Sequence, residues 1–270
     1  MRNRRLPALM ILLLVTALMA AACGGLRRDT NPGEVAVDPK PSTTPPVSTV
    51  TVPLYFADWQ AQHLIPEARQ VPQAEGAKMA DQVVDELLKG PTDPHLYRTI
   101  PSNVKKLEPV SVQDQVAYVN LSQEFQQIQG AAGAQMAVGS LVQSLTEIPG
   151  ITKVQVLVEG QKAVMPDPGM RLEPTERGFY GDIPVLFDPE RAKYLADRVS
   201  QGLDPWRKEP AKVVEWEGRM FGFTAAELEK AKVEVSGTEA TATLGRNGST
   251  YVIALQKQGD AWVITGIESQ

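Results

Sequence analysis

Two segments of the chain repeat hydrophobic residues with the period of an α-helix. In residues 75–89 the apolar side chains fall on one face, and a Gly-Pro pair follows them. Residues 133–148 repeat the same period and are followed by a Pro-Gly pair. These patterns predict two amphipathic helices, each of which buries one face against a neighbouring layer. The apolar positions of the first helix are Met79, Val83, Val84, Leu87 and Leu88.

Four other segments have the short apolar or alternating patterns of β-strands. They cover residues 50–56, 104–112, 115–121 and 151–158. Pro53 interrupts the first of them and predicts an edge position, because proline cannot donate a hydrogen bond to a neighbouring strand. The resulting order is β-α-β-β-α-β, which predicts an α+β unit with both helices packed on one face of a sheet.

The last third of the chain has a different order, with helices first and strands afterwards. Asp188 and Pro189 are suited to begin a helix that runs to about residue 201, and residues 224–227 carry a capping-box signature. Three strands are predicted after them, with Asn-Gly and Gly-Asp turns between one strand and the next. These strands cover residues 232–244, 251–258 and 261–267. The predicted fold class is therefore α+β: a β-α-β-β-α-β domain, then a small domain of helices and an antiparallel meander.

The N-terminus has the pattern of an export signal. Three arginines precede an apolar run, and small residues then lead to Cys23, the only cysteine of the chain. This pattern resembles the lipobox of bacterial lipoproteins, although Ala20 stands where leucine is usual. We predict a lipoprotein signal peptide over residues 1–22 and a lipid such as palmitate on Cys23. An uncleaved anchor helix and a soluble secreted protein are the alternatives.

Proline and glycine divide the rest of the chain into linkers and domains. Five prolines interrupt residues 23–48, which predicts an extended tether. Prolines and glycines are frequent again in residues 166–184, which predicts an interdomain linker. The two domains are therefore predicted at residues 49–165 and 185–270.

Composition and charge exclude several kinds of site. The formal net charge of −5 argues against a nucleic-acid partner, which needs a basic surface to neutralise phosphates. One cysteine cannot form an internal disulfide or a zinc site with several thiolates, and two histidines cannot form a three-histidine metal centre. We expect neither a metal ion nor a cofactor.

No arrangement of residues in the sequence indicates catalysis. His63 and His95 fall in predicted loops, where surface turn positions are the simplest interpretation. The spacing of a zinc protease, a phosphate-binding loop or a hydrolase nucleophile elbow is absent from the sequence. We therefore predict that the protein is not an enzyme. Trp59 follows the first predicted strand and is the candidate for stacking on a sugar or a partner.

Several sequence blocks in residues 48–178 together resemble the GerMN domain of bacterial sporulation and germination lipoproteins. They include the LYF strand end, the ELLKGP helix end, the YVNLSQEF segment and a long helix-then-strand block. Arg69 and a loop around Arg171 complete the pattern. In order, the four blocks cover residues 54–56, 86–91, 118–125 and 140–160.

The resemblance implies an extracytoplasmic α+β module related to ring-building folds, which acts through protein interaction and has no known catalytic residues. Trp59, Arg69 and Arg171 are then the candidate partner-binding residues. Some sporulation members carry two tandem copies, whereas one is visible in this sequence. Residues 251–269 instead resemble the ends of small NTF2-like or cystatin-like exported domains.

Together these patterns predict a non-enzymatic lipoprotein on the outer face of the cell membrane. Its GerMN domain would serve as a scaffold or interaction module during sporulation or spore germination. The expected partners are the membrane, through the lipid on Cys23, and other envelope or sporulation proteins, with a homo-oligomer or ring as a further expectation. The alternative is a general envelope adaptor that binds peptidoglycan through Trp59. A third hypothesis is an accessory to wall hydrolysis or transpeptidation.

Overall fold

A β-hairpin and a helix open the described part of the chain. The computed structural model describes residues 48–164, 172–178 and 187–270. Strand β1 (Thr49–Ala57) pairs along its whole length with antiparallel strand β2 (Leu64–Pro72), and helix α1 (Gly76–Lys89) follows. The predicted signal peptide, Cys23, Arg171 and most of both predicted linkers lie outside the described residues.

A mixed sheet lies beyond this hairpin. Its strands run in the order β3-β4-β5-β6, with β4 and β5 parallel and joined through helix α2; the short strand β7 pairs with β5 as well. A parallel pair needs such a crossover, because a tight turn can join only antiparallel strands. The bounds are β3 Ser111–Gln113, β4 Val116–Leu121, α2 Ala131–Leu145, β5 Lys153–Val158, β6 Gln161–Lys162 and β7 Thr175–Glu176. A 3₁₀ helix, Gln123–Gln127, lies between β4 and α2.

The structure differs from the predicted β-α-β-β-α-β order in two places. Strand β2 was not predicted, and β1 pairs with it rather than with the mixed sheet. The predicted strand 104–112 is a strand only from Ser111, because its earlier residues make a single isolated bridge, Lys106 to Leu121, and side-chain bonds instead of a continuous ladder. The Asp81 carboxylate accepts a hydrogen bond from the Val110 backbone N–H at 2.9 Å and one from Lys106 Nζ at 2.5 Å.

The C-terminal part follows the predicted order of helices and then strands. The Asp188 carboxylate caps helix α3, and Thr224 with Glu227 forms the predicted capping box of α5. The predicted strand 232–244 is two strands, because the chain turns at Gly237 with a φ of 64°. Its helices are α3 Pro189–Ser200, α4 Pro210–Glu217 and α5 Ala225–Leu228, with 3₁₀ turns at Pro205–Lys208 and Gly218–Phe221. Its strands are β8 Lys232–Ser236, β9 Glu239–Arg246, β10 Ser249–Gln258 and β11 Ala261–Ser269.

The four C-terminal strands form an antiparallel sheet in the order β11-β10-β9-β8, which is the predicted meander. A continuous hydrophobic core includes Phe56 and Leu141 from the N-terminal part and Val213 and Ile253 from the C-terminal part. Residues 46–270 accordingly make one compact unit. The predicted α+β class is confirmed, with open sheets and helices packed around a common core.

Candidate functional site

A cleft of about 660 Å³ lies beside helix α2. Its walls come from α2, from the start of β2, from residues 172–176 and 178, and from the 3₁₀ turn at Met220 and Phe221. The volume falls within the range of about 300–1,000 Å³ that is usual for ligand pockets. Much of the lining is apolar: Leu64, Met136, Val142, Leu172, Met220 and Phe221.

An aspartate–histidine pair stands at the β2 end of this cleft. Asp58 and His63 occupy the two ends of the loop between β1 and β2, and the Asp58 backbone N–H donates to the His63 carbonyl oxygen at 3.0 Å. The His63 Nδ1 lies 2.8 Å from Asp58 Oδ2. His63 lines the cleft, and its side chain is 9% exposed. The hairpin therefore places this imidazole in the wall instead of on the surface that the sequence suggested.

The charge state of Asp58 determines which tautomer a neutral His63 adopts. Burial by itself raises the pKa of Asp58, but hydrogen bonds from His63 and from the backbone N–H of Gln62 hold that pKa below its ordinary value. With this carboxylate ionised, the hydrogen of a neutral imidazole sits on Nδ1, and Nε2 is an acceptor. The His63 Nε2 is buried and has no hydrogen-bond partner among the described residues.

Gln143 supplies a second buried polar atom in the wall. It lies on the face of α2 that borders the cleft and is 3% exposed. Its side-chain Oε1 has no hydrogen-bond partner among the described residues, whereas its backbone carbonyl accepts from Arg177 Nη2 at 2.7 Å. Unpaired buried acceptors cost free energy, about 1–3 kcal/mol each, unless a ligand or water satisfies them.

A charged cluster behind α2 fixes the position of the helix. Glu147 Oε1 accepts from Tyr55 Oη at 2.8 Å and from Arg177 Nη2 at 2.5 Å, and its Oε2 accepts from Arg219 Nη1 at 2.6 Å. Burial raises the pKa of the Tyr55 hydroxyl well above its ordinary value, and the charge of Glu147 raises it further. The phenol therefore remains protonated, and it donates to Glu147 over the whole physiological pH range.

Trp59 and Arg69 have different surroundings in the structure. The Trp59 side chain is 57% exposed in the loop between β1 and β2, so it is available to a partner. The Arg69 guanidinium is occupied within the chain, by the Glu67 carboxylate, by Glu86 Oε2 at 2.8 Å and by the Gly90 carbonyl oxygen at 3.1 Å. Arg171 lies outside the described residues.

The partners of Arg69 organise the loop that follows α1. Glu67 is 9% exposed, and its carboxylate accepts from the backbone N–H groups of Thr92 and Asp93, both at 2.8 Å. Burial alone lowers the pKa of Arg69, but hydrogen bonds and charges from Glu67 and Glu86 outweigh burial and raise it. In this geometry Arg69 holds β2 against the end of α1.

Neither a metal cluster nor a membrane-spanning helix is found in the described part of the chain. Residues 48–164, 172–178 and 187–270 contain no group of three or more His, Cys, Asp or Glu side chains that could hold a metal ion. Within the same ranges, the helices are too short or too polar to cross a bilayer.

The sequence did not predict the cleft because its walls come from segments far apart in the chain. Asp58 and His63 meet only once β2 is recognised, since the hairpin brings the two ends of their loop together. That recognition would have been the available signal for the pair. Gln143 lies among apolar residues of α2, and its spacing in the sequence gives no sign that its amide oxygen is unpaired.

Comparisons with known proteins find a similar family for the N-terminal part. Residues 53–164 match the Germane family, which is described as sporulation and spore germination. The search of curated proteins found no match.

Three solved structures resemble about half of the chain. The tandem GerMN domains of the sporulation protein GerM from Bacillus subtilis share 21% identity over 48% of this chain and 46% of that chain, with a TM-score of 0.41. The first GerMN domain of the same protein shares 21% identity over 47% of this chain and 97% of that chain, with a TM-score of 0.38. A candidate lipoprotein from Clostridium perfringens shares 22% identity over 48% of this chain and 89% of that chain, with a TM-score of 0.36. The family match confirms the resemblance noted in the sequence: residues 53–164 are similar to the Germane family of sporulation and spore germination.

Proposed function

We propose that this chain is a lipid-anchored envelope protein that acts as an interaction module in sporulation or spore germination. The observation that carries the proposal is the match of residues 53–164 to a family described by that process. The export-signal pattern that ends at Cys23 supports an extracytoplasmic location, with the lipid as membrane anchor. The module presents its surface to other envelope proteins or to further copies of the chain.

The described cleft supports a binding role over a catalytic one. The Asp58–His63 pair has the arrangement of a general base and its orienting group, but a nucleophilic mechanism also needs a hydroxyl or thiol within reach of the imidazole. Among the lining side chains that the structure describes, the hydroxyl is that of Thr175, and its Oγ1 donates to the Glu173 carbonyl oxygen at 2.9 Å. We propose that the protein binds without turnover.

Fractionation of the source organism through growth and sporulation tests the proposal. The natural chain should appear in the membrane fraction of sporulating cells, and Cys23→Ala should move it out of that fraction because the lipid attachment point is lost. Ala20→Leu serves as the control, since it brings the sequence closer to the usual lipobox and should keep the protein in membranes. Membrane retention of the Cys23→Ala chain would refute the lipid anchor. Equal abundance in vegetative and sporulating cells would refute the link to sporulation.

Trp59 favours a second candidate function, binding of peptidoglycan. A tryptophan that is 57% exposed on a tight loop can stack on a sugar ring. If this function is correct, the protein co-sediments with purified peptidoglycan and Trp59→Ala reduces the bound fraction at least fivefold. Tyr97→Ala is the matched control, because Tyr97 is 56% exposed and its hydrogen bonds to Ala57 use backbone atoms. Equal loss in both variants, or no co-sedimentation, contradicts glycan recognition by Trp59.

A further inference from the structure

We infer that strand β8 is a dimerisation edge, to which a second copy of this chain adds its own β8 in antiparallel orientation. The inference rests on the interaction role proposed above and names the second copy as one partner. Three observations on the described residues carry it: the open edge of the C-terminal sheet, the apolar side chains at that edge, and the order of two opposite charges along it.

Strand β8 is the last strand of the C-terminal sheet. The sheet order is β11-β10-β9-β8, and among the described residues the strand that pairs with β8 is β9. A two-residue turn joins them, with Ser236 opposite Glu239. The residues that flank such a turn form a hydrogen-bonded pair, and every second pair along the ladder does the same. The backbone groups of Val233 and Val235 therefore point away from β9, toward the open edge.

One face of β8 is apolar and continues the core face of the sheet. Val233 and Val235 lie opposite Ala242 and Ala240, which are both buried. Val233 packs against the hydrophobic core, whereas Val235 is 57% exposed. A strand added at this edge would extend the apolar face and cover Val235, and burial of apolar surface favours association.

The other face of β8 carries one positive and one negative charge. Lys232 and Glu234 are exposed and are separated by one residue, so both lie on the solvent face of the sheet. A lysine on an edge strand commonly discourages pairing with another chain. Here a carboxylate two residues away can compensate the lysine when two copies of the strand pair antiparallel.

These charges select one register for the two copies. When Val233 lies opposite Val233 of the second copy, Lys232 of each copy lies opposite Glu234 of the other. Directly opposite residues have Cβ atoms about 4.5–5.5 Å apart, which is close enough for opposite charges to attract. The backbone groups of Val233 face the open edge, so this register also lets the two Val233 residues exchange both of their hydrogen bonds.

The alternative registers lack this complementarity. A shift by two residues places Glu234 opposite Glu234 of the second copy, and like charges directly opposite each other are destabilising. A shift by four residues places Val235 opposite Val235 and brings Lys232 opposite Thr238, without an ion pair. A shift by one residue sets the apolar face of one copy beside the charged face of the other. The edge therefore fits a second copy of itself, and the joined sheet has eight strands.

Sedimentation equilibrium measures this association. The lipid-free chain from residue 23 onward, with Cys23→Ala, contains the whole compact unit and has neither a lipid nor a thiol. A strand of five residues makes a small interface, so we expect a reversible dimer at about 100 µM and a monomer at about 1 µM. Unfolding measured at the lower concentration therefore reports on the monomer.

Val235→Pro tests the open edge. Proline removes the N–H that points away from β9 and leaves the hydrogen bonds with β9 in place, so this variant should weaken the dimer at least tenfold. Circular dichroism checks the fold of this variant and of those that follow.

Exchange of the charges tests the register. Lys232→Glu and Glu234→Lys each place like charges opposite one another, so each should weaken the dimer at least fivefold. The double variant restores opposite charges and should return to within twofold of the parent. An equimolar mixture of the two single variants should form a mixed dimer for the same reason. Glu268→Lys is the matched control, because it makes the same change of charge as Glu234→Lys at an exposed position of β11, on the other edge of the sheet, and it should leave association unchanged.

Two results would overturn the second copy as the occupant of this edge. They are a monomeric parent at the higher concentration, which would leave the edge to a strand of another protein, and a dimer that Val235→Pro leaves unchanged. A double variant that associates as weakly as the single ones would overturn the register. None of these outcomes depends on membrane attachment or on sporulation, so the dimer and the proposed function can fail separately.

Discussion

At the scale of single residues, Glu217 illustrates how a buried charge is stabilised in this fold. It is 3% exposed at the end of α4 and accepts hydrogen bonds from Arg207 Nη2 at 2.5 Å and from Arg191 Nη2 at 3.4 Å. Burial by itself raises the pKa of Glu217, but the charges of Arg207 and Arg191 outweigh burial and hold it below its ordinary value. The carboxylate is therefore ionised, and it compensates two guanidinium groups at once.

We predict that Glu217→Gln lowers the free energy of unfolding by about 3 kcal/mol at pH 7, because it leaves the buried Arg207 without its counter-charge. The folded-state pKa of Glu217 lies below the unfolded value of about 4.3, so the carboxylate contributes full stability above that pH. The contribution is lost as the pH falls from about 4.3 through the folded-state pKa. Urea unfolding of both chains between pH 7 and pH 3 should show the difference shrinking with acid.

Glu234→Gln is the control for this measurement. Glu234 is exposed on strand β8, so its replacement should change stability by less than about 0.5 kcal/mol at every pH. A difference between the parent and Glu217→Gln that stays constant or grows toward pH 3 would contradict the depressed pKa.

At the scale of elements, the edge of β1 shows how the fold protects an unpaired strand. The backbone groups of Pro53 and Tyr55 point away from β2. On this side, an edge strand would otherwise offer free N–H and carbonyl groups to another chain. Pro53 has no N–H to offer, and the backbone N–H and carbonyl of Tyr55 bond to the side chains of Ser144, at 3.0 Å, and Ser140, at 2.5 Å. Ala57 makes two backbone hydrogen bonds with Tyr97. Helix α2 and the loop after α1 therefore cover this edge.

The same elements show what the sequence could and could not predict. Helices α1 and α2 were predicted closely, because the buried face of a helix appears in the sequence as a local repeat of apolar residues. Strand β2 was missed because its first four residues are buried in succession, without alternation, and because Pro66 resembles a strand breaker. Pro66 is tolerated since it lies opposite Tyr55, whose backbone bonds to α2 instead of β2. That compensation comes from a helix almost ninety residues away, so no local pattern reveals it.

At the scale of the whole molecule, the two predicted domains share contacts that neither could make alone. Arg219, after α4, donates to Glu147 at 2.6 Å, and Arg191 on α3 donates to Asp93 Oδ2 at 3.3 Å. Phe221 belongs to the same hydrophobic core as residues of β1, α1 and α2. Phe221 also lines the cleft beside α2, so the C-terminal part contributes to its wall. The part that matches the Germane family and the C-terminal part should therefore behave as one cooperative unit.

We predict one heat-unfolding transition for the chain from residue 48 to 270, with a calorimetric enthalpy close to the van't Hoff enthalpy. The chain from residue 48 to 178 should unfold at a clearly lower temperature, because removal of Phe221 and Arg219 exposes part of the core and leaves Glu147 with one cation fewer.

Arg219→Gln should lower the midpoint of the longer chain without splitting its transition. Lys212→Gln is the matched control, since Lys212 is exposed and its side-chain amine bonds to nearby Glu215, and it should leave the midpoint within about 1 °C. Two resolved transitions, or an unchanged midpoint in the shorter chain, would show instead that the two parts fold independently and that the charged contacts between them contribute little.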